Sequence, residues 1–141
     1  MMWKGRFSGD TDEKVQQFTQ SLDLDWRLVY ADIQVSISHV RMLRRINLLS
    51  EAEARSLEES LGEIAREAEQ GTFKPEEQLE DVHMNIEQRL TDTLGELGAK
   101  LHAGRSRNDQ VATTMRLYLK SALCRLGTQL GELLGVLLDK A

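Results

Sequence analysis

Apolar residues recur every three or four positions in five separate stretches of this chain, the spacing that amphipathic helices require. The stretches comprise Val15, Phe18 and Leu22; Val29, Ile33, Ile37, Val40 and Leu43; Ala54, Leu57, Leu61, Ile64 and Ala68; Val82, Ile86, Leu90 and Leu94; and Val111, Met115, Leu119, Ala122, Leu126, Leu130, Leu133 and Leu137. We therefore predict an all-α fold: a short first helix through Leu22, then helices over about 25–46, 50–70, 81–97 and 108–141.

Capping residues support the boundaries of the predicted helices. Asp10 with Glu13, and Ser50 with Glu53, have the capping-box spacing that begins a helix. Gly71 stands where a glycine in the left-handed conformation would end the third helix.

The segments between the helices lack a sustained apolar period. Residues 72–79 contain the only proline, Pro75, and residues 99–107 contain Gly104, so we predict two loops there. Gly98 is placed to end the fourth helix before the second of these loops.

The last predicted helix is too long for the rest of the chain to cover. At 1.5 Å per residue, about 34 residues make a rod of roughly 50 Å, whereas a compact chain of this length has a radius of gyration of about 14 Å. The leucine stripe would therefore remain exposed. We predict that this helix either self-associates through residues 109–141 or belongs to a larger helical bundle.

Composition narrows the class of protein further. The 141 residues include 40% hydrophobic and 29% charged residues, which argues against a disordered or membrane protein. Aromatic residues make up only 5%, which disfavours an all-β fold. The single cysteine, Cys124, excludes an internal disulfide framework and a cysteine-rich metal site. With no apolar signal or membrane-spanning segment visible, we expect a cytoplasmic protein.

Charge is distributed unevenly along the chain. Residues 1–98 hold 11 basic and 20 acidic side chains, and residues 99–141 hold 7 basic and 3 acidic ones. Three of the basic residues, Lys100, Arg105 and Arg107, lie within eight positions. A basic segment this local, with no interleaved aromatic residues, favours a small anion site over a nucleic-acid surface.

The residues before the last predicted helix have the chemistry of a carboxylate site. A helix N-terminus presents free N–H groups, Ser106 or Asn108 can cap it, and Arg107 can form paired hydrogen bonds with a carboxylate. The same residue types also occur as ordinary helix caps and solvated charges, so the local pattern leaves both interpretations open.

The wider string identifies a family. Leu101-His102-x-Gly104-Arg105-Ser106-Arg107-Asn108-Asp109-Gln110-Val111-Ala112-Thr113 resembles the signature segment of the argininosuccinate lyases and their δ-crystallin relatives. Further matches in the same order are Trp3-x-Gly5-Arg6-Phe7-Ser8, Phe18-x-x-Ser21, Glu80-Asp81-Val82-His83 and Met115-Arg116-Leu117-Tyr118. The string fits other fumarate-releasing enzymes of the superfamily, such as fumarases, aspartases and adenylosuccinate lyases, less well.

The resemblance implies β-elimination of argininosuccinate to arginine and fumarate, without a metal or organic cofactor. The residues that it places in contact with substrate are Ser21, Ser106, Arg107 and Asn108. It places Asp81 and His83 beside the site as supporting polar groups. Ala103 stands where the family usually has threonine, and Lys4 stands where it usually has glycine.

The resemblance also implies a division of the chain and of the catalytic work. Residues 1–101 would form a small N-terminal helical domain, and residues 102–141 would form the signature loop and the start of a central-bundle helix. In the family, which forms homotetramers with sites built from three subunits, the base serine and the acid–base histidine lie in segments beyond Ala141. We therefore expect this chain to be inactive alone. The alternative is a catalytically silent structural protein of the δ-crystallin kind.

Overall fold

The computed structural model describes residues 12–141, which form seven α-helices, three short 3-10 turns and no β-strand. The helices are α1 (Glu13–Thr19), α2 (Leu22–Asp25), α3 (Val29–Arg45), α4 (Glu51–Glu69), α5 (Val82–Leu94), α6 (Glu96–Ala99) and α7 (Arg107–Asp139). The 3-10 turns span Trp26–Leu28, Glu77–Leu79 and Lys100–His102. The predicted all-α fold is confirmed.

The core lies between α3, α4 and α5, which pack against one another. The buried members of the predicted apolar stripes are Val29, Ile33, Val40 and Leu43 of α3, Ala54, Leu57, Leu61 and Ile64 of α4, and Val82, Ile86 and Leu90 of α5. Burying each large aliphatic side chain contributes roughly 1.5–3 kcal/mol. These three stripes are therefore the main source of stability for the body of the molecule.

The predicted ends of α4 are confirmed. Oγ of Ser50 accepts a hydrogen bond from the backbone N–H of Glu53 at 3.2 Å, and the Glu53 carboxylate accepts one from the backbone N–H of Ser50 at 2.8 Å. Gly71 follows the helix with a φ of +69°, a conformation in which glycine carries no steric penalty.

The end of the fourth predicted helix is wrong. The helix stops at Leu94, because Gly95 adopts a φ of +60° and the chain then begins the short helix α6. Gly98 lies inside α6, where a Cβ atom would come within 2.6 Å of the backbone of Leu90. Its lack of a side chain thus allows α6 to approach α5 closely rather than ending a helix.

The first predicted helix is also shorter than expected. It ends at Thr19, and Leu22 begins the separate helix α2. The chain turns at Ser21, whose backbone N–H donates to the carbonyl oxygen of Glu80 at 3.0 Å. Val15 and Phe18 are exposed, Phe18 by 90%, whereas Leu22, the third residue of the predicted stripe, is buried. The Asp10 cap and the motif at residues 3–8 lie outside the described residues.

The long last helix is confirmed and carries its apolar stripe largely uncovered. Its first turns pack against α3, and Tyr118 is partly buried against the core. Every residue from Leu123 to Ala141 is exposed. Among the helices of residues 12–141, none combines the length and apolar character needed to cross a membrane.

Candidate active site

The start of α7 packs against α3 and is linked to α5 through the side chain of Arg107. Leu101 lies in the 3-10 turn that precedes α7 and is fully buried. It therefore attaches to the core a stretch that was predicted to be a loop. Ser106 is the N-cap, with its Oγ accepting a hydrogen bond from the backbone N–H of Asn108 at 3.2 Å. The helix therefore begins at Arg107, one residue earlier than predicted. Ser106 and Asn108 both remain exposed at this helix end.

The guanidinium of Arg107 is held by two residues of the same chain. Nη2 donates to Oε2 of Glu87 at 2.8 Å, and Nη1 donates to Oε1 of Gln110 at 2.8 Å. Glu87 projects from α5 and is almost completely buried. The arginine is thus oriented before any ligand arrives.

Glu87 interacts with two more side chains of the signature segment. Nδ1 of His102 lies 3.0 Å from Oε1 of Glu87, and Nη2 of Arg105 lies 3.8 Å from the same oxygen. One buried carboxylate therefore faces three basic side chains. This arrangement ties α5 to the segment that precedes α7.

Asp32 of α3 is the second buried carboxylate. Its oxygens accept hydrogen bonds from Nε2 of Gln110 at 3.0 and 3.1 Å, and from Oγ1 of Thr114 at 2.9 Å. Oδ1 also lies 2.8 Å from Nδ1 of His83, an ion-pair distance without the alignment of a hydrogen bond. Burial alone would raise the pKa of Asp32, but His83, Gln110 and Thr114 together lower it.

The pKa of His83 shifts in the complementary direction. Its side chain is only 2% exposed, and burial alone would lower its pKa. The adjacent Asp32 carboxylate outweighs that effect and raises the pKa above 6.5. The two groups therefore stabilise each other's charged forms.

Together these contacts form a continuous chain of side chains. It runs from His83 to Asp32, then through Gln110 to Arg107 and Glu87. Two residues that the resemblance singled out, His83 and Arg107, thus belong to the same network although they come from different helices.

Ser21 and Asp81 both lie near the turn that precedes α5. The backbone of Ser21 contacts Glu80, and its Oγ donates to the carboxylate of Asp25. Asp81 is the N-cap of α5, and its carboxylate accepts from the backbone N–H of Met84 at 2.7 Å. The structure therefore places Ser21 beside the turn that leads into α5 and gives Asp81 a capping role.

Each of the three basic residues at positions 100–107 has a partner within the chain. Lys100 pairs with Glu53 of α4, and this contact is the main cause of lowering the pKa of Glu53 to about 2. Nη1 of Arg105 donates to Oγ of the buried Ser36 at 3.4 Å. Because Arg107 is paired as well, the acidic body of the molecule supplies partners for all three cations.

A cavity of about 480 Å³ lies beside the buried Glu87 carboxylate. Its lining residues are Glu87, Gln88, Thr91, Gly98, Ala99, His102 and Arg107. The volume lies within the range of small-molecule sites. Across residues 12–141, no three His, Cys, Asp or Glu side chains are grouped as metal ligands.

Sequence reasoning missed Asp32, Glu87, Gln110 and Thr114. One signal was available, because Asp32 and Ser36 follow Val29 at helical spacing and so fall on the apolar face of α3. A charged residue on such a face requires a buried partner. Its partners lie in α5 and α7, and nothing in the spacing of α3 identifies them.

Comparisons with known proteins identify the family of the chain. A family model described as lyase matches residues 5–141. The argininosuccinate lyases of Chromohalobacter salexigens and Thioalkalivibrio sulfidiphilus are each 48% identical to the chain, and that of Methylococcus capsulatus is 49% identical. Each match covers 99% of this chain, which spans about 30% of the length of these relatives. The chain belongs to the lyase family.

Proposed function

We propose that this chain is part of an argininosuccinate lyase and contributes substrate-binding residues to its active site. The observation that carries the proposal is the identity of 48–49% to argininosuccinate lyases across 99% of the chain. The expected reaction is the β-elimination of argininosuccinate to arginine and fumarate. With Cys124 as its single cysteine, the chain suits a reducing compartment, and we assign the enzyme to cytoplasmic arginine biosynthesis.

The substrate carboxylates bind at the start of α7 in this proposal. Ser106 and Asn108 are exposed there, and the first N–H groups of a helix attract anions. Arg107 has five N–H donors, and the two hydrogen bonds to Glu87 and Gln110 leave others for a ligand. Ser21 supplies a further substrate contact from the start of α2.

These groups serve the electrostatic part of an elimination. Removing a proton from the carbon beside a carboxylate creates a dianion, which fixed cations and N–H donors stabilise best when they are already in place. Arg107, held by its two neighbours, is such a cation. Asp81 and His83 support the site by capping α5 and by pairing with Asp32, and the acid and base come from segments outside this chain.

The exposed stripe of α7 packs against further copies of the chain in the assembled enzyme. Its leucines recur over a rod of about 50 Å and none is covered beyond Leu123. A homotetramer held together by such helices would cover this surface and combine residues from several subunits in each site.

The decisive test is a chimera in which this chain replaces the matched segment of the Methylococcus capsulatus enzyme. We expect the chimera to release fumarate from argininosuccinate, and Arg107→Ala to lower kcat/KM by about 10²–10³-fold, the usual cost of losing a fixed donor to developing charge. Arg55→Ala, at an exposed position of α4, is the matched control.

Assembly of the chimera is checked by circular dichroism and light scattering. A folded, assembled chimera that releases no fumarate would contradict the proposal and favour the δ-crystallin-like structural role. Equal losses of kcat/KM in Arg107→Ala and Arg55→Ala would show that Arg107 does not contribute to the site.

A further inference from the structure

The Asp32 carboxylate contacts Gln110, one of the two residues that hold Arg107. It is fully buried in α3 and accepts hydrogen bonds from two residues on successive turns of α7, Gln110 and Thr114. Burying a carboxylate is costly unless its lone pairs are satisfied. The hydrogen bonds from the first turns of α7 satisfy these lone pairs, so the charge on Asp32 favours one position of α7 against α3.

Gln110 transmits the orientation from Asp32 to Arg107. Its Nε2 donates to both carboxylate oxygens of Asp32, while its Oε1 accepts from Nη1 of Arg107 at 2.8 Å. A carboxylate can only accept and a guanidinium can only donate. The amide of Gln110 can therefore satisfy both neighbours in one orientation only, and that orientation presents its oxygen to the arginine.

We propose that Asp32 is a positioning residue for the carboxylate-binding group Arg107 and acts through the amide of Gln110. The proposal rests on the proposed function, in which Arg107 contacts the substrate. Asp32 itself is fully buried and acts on the substrate only through these neighbours. Its contribution is to keep the arginine in one geometry, so that substrate binding does not carry the entropic cost of ordering the side chain.

The negative charge of Asp32, rather than its shape, is what the relay requires. Asparagine has the same size but presents one acceptor and one donor. In Asp32→Asn, the Gln110 amide can therefore turn over and direct its NH₂ group at Arg107, which has no acceptor. Thr114→Val removes a different hydrogen bond from the same carboxylate and leaves the contact between Gln110 and Arg107 intact, so it is a matched control.

The kinetic test uses the lyase chimera. We expect Asp32→Asn and Gln110→Met each to raise KM for argininosuccinate about ten-fold, equivalent to about 1.4 kcal/mol, with a smaller change in kcat. We expect Thr114→Val to change KM by less than about two-fold even where it lowers the melting temperature. Because both substitutions break one relay, the double variant of Asp32→Asn and Gln110→Met should be no worse than either single one.

Three results would overturn the proposal. The first is a double variant whose rise in KM is the product of the two single rises. The second is a rise in KM for Thr114→Val as large as that for Asp32→Asn. The third is an unchanged KM in Gln110→Met, which also decides the question if Asp32→Asn fails to fold.

A measurement on the 141-residue chain itself separates this proposal from the lyase assignment. Nitrogen-15 relaxation of the Arg107 Nε–H group reports how well the guanidinium is ordered, independent of turnover. We expect its order parameter to fall in Asp32→Asn and Gln110→Met and to stay unchanged in Thr114→Val. Unchanged order in the first two variants would refute the relay, whereas an inactive chimera with these changes in order would refute only the proposed function.

Discussion

At the scale of single residues, the buried pair of Asp32 and His83 links stability to pH. The pKa of His83 is raised in the folded chain, so the stability it contributes is complete below the unfolded value of 6.5 and is lost as pH rises through the folded value. The pKa of Asp32 is lowered, so its contribution is present above 3.8 and is lost as pH falls through its folded value. The other charged groups that act on His83 are Asp81 and Arg107.

We therefore expect the free energy of unfolding to fall as the pH rises from about 6.5 through the folded pKa of His83, by about 1.4 kcal/mol for each unit by which that pKa is raised. Urea unfolding at several pH values measures this. Burial lowers the pKa of His39, which acts in the opposite direction. The informative quantity is therefore the difference between the native chain and Asp32→Asn. A difference that stays constant over this range would contradict the pairing.

The residues that could be predicted are those whose partners are near in sequence. Ser50 and Glu53 lie three positions apart, and the cap role of Ser106 involves a residue two positions away. Asp32 and Gln110 lie 78 positions apart, and their contact depends on how α7 packs on α3. The resemblance could single out Arg107, but only the packed structure connects it to Asp32.

At the scale of elements, the helices were predictable where the apolar period is long, and their ends were less so. The stripes of α3 and α4 were correct because each repeats over four turns or more. The end of α5 was wrong because a glycine that ends a helix and a glycine that allows close packing are identical in sequence. Gly95 and Gly98 differ only in φ and in what lies near them.

Gly98→Ala tests that distinction. The new Cβ atom would meet the backbone of Leu90 and Thr91 at 2.6 Å, and backbone cannot move aside as a flexible side chain can. We expect a loss of about 1–3 kcal/mol, the usual cost of overpacking. Chemical denaturation followed by circular dichroism measures it.

Gly62→Ala is the matched control, because this glycine lies within α4 with nothing within 4 Å of the added Cβ. Alanine should stabilise α4 there by about 0.5–1 kcal/mol. If both substitutions shifted stability in the same direction and by the same amount, the close contact between α6 and α5 would not be supported.

At the scale of the whole molecule, α7 has one end that is packed and one that is not. Gln110 and Thr114 are buried against α3, whereas Leu126, Leu130 and Leu133 are exposed by about half. The apolar period predicted the length of this rod and its uncovered stripe. It contains no information on the surface that covers the stripe, because that surface is not part of the same helix. The division of the chain at residues 101 and 102 stays a prediction.

If copies of the chain associate through α7, polar substitutions in the stripe should separate them. We expect the double variant Leu126→Glu, Leu130→Glu to weaken association by at least about ten-fold, since a carboxylate buried in an apolar interface lacks compensating partners. Thr128→Glu adds the same kind of charge about half a turn away on the other side of the helix and should leave association unchanged.

Light scattering over a concentration series measures the assembly, with circular dichroism to verify that α7 stays helical. A native chain that remains monomeric at high concentration would contradict the prediction, and equal weakening by Thr128→Glu would show that association does not use the leucine stripe.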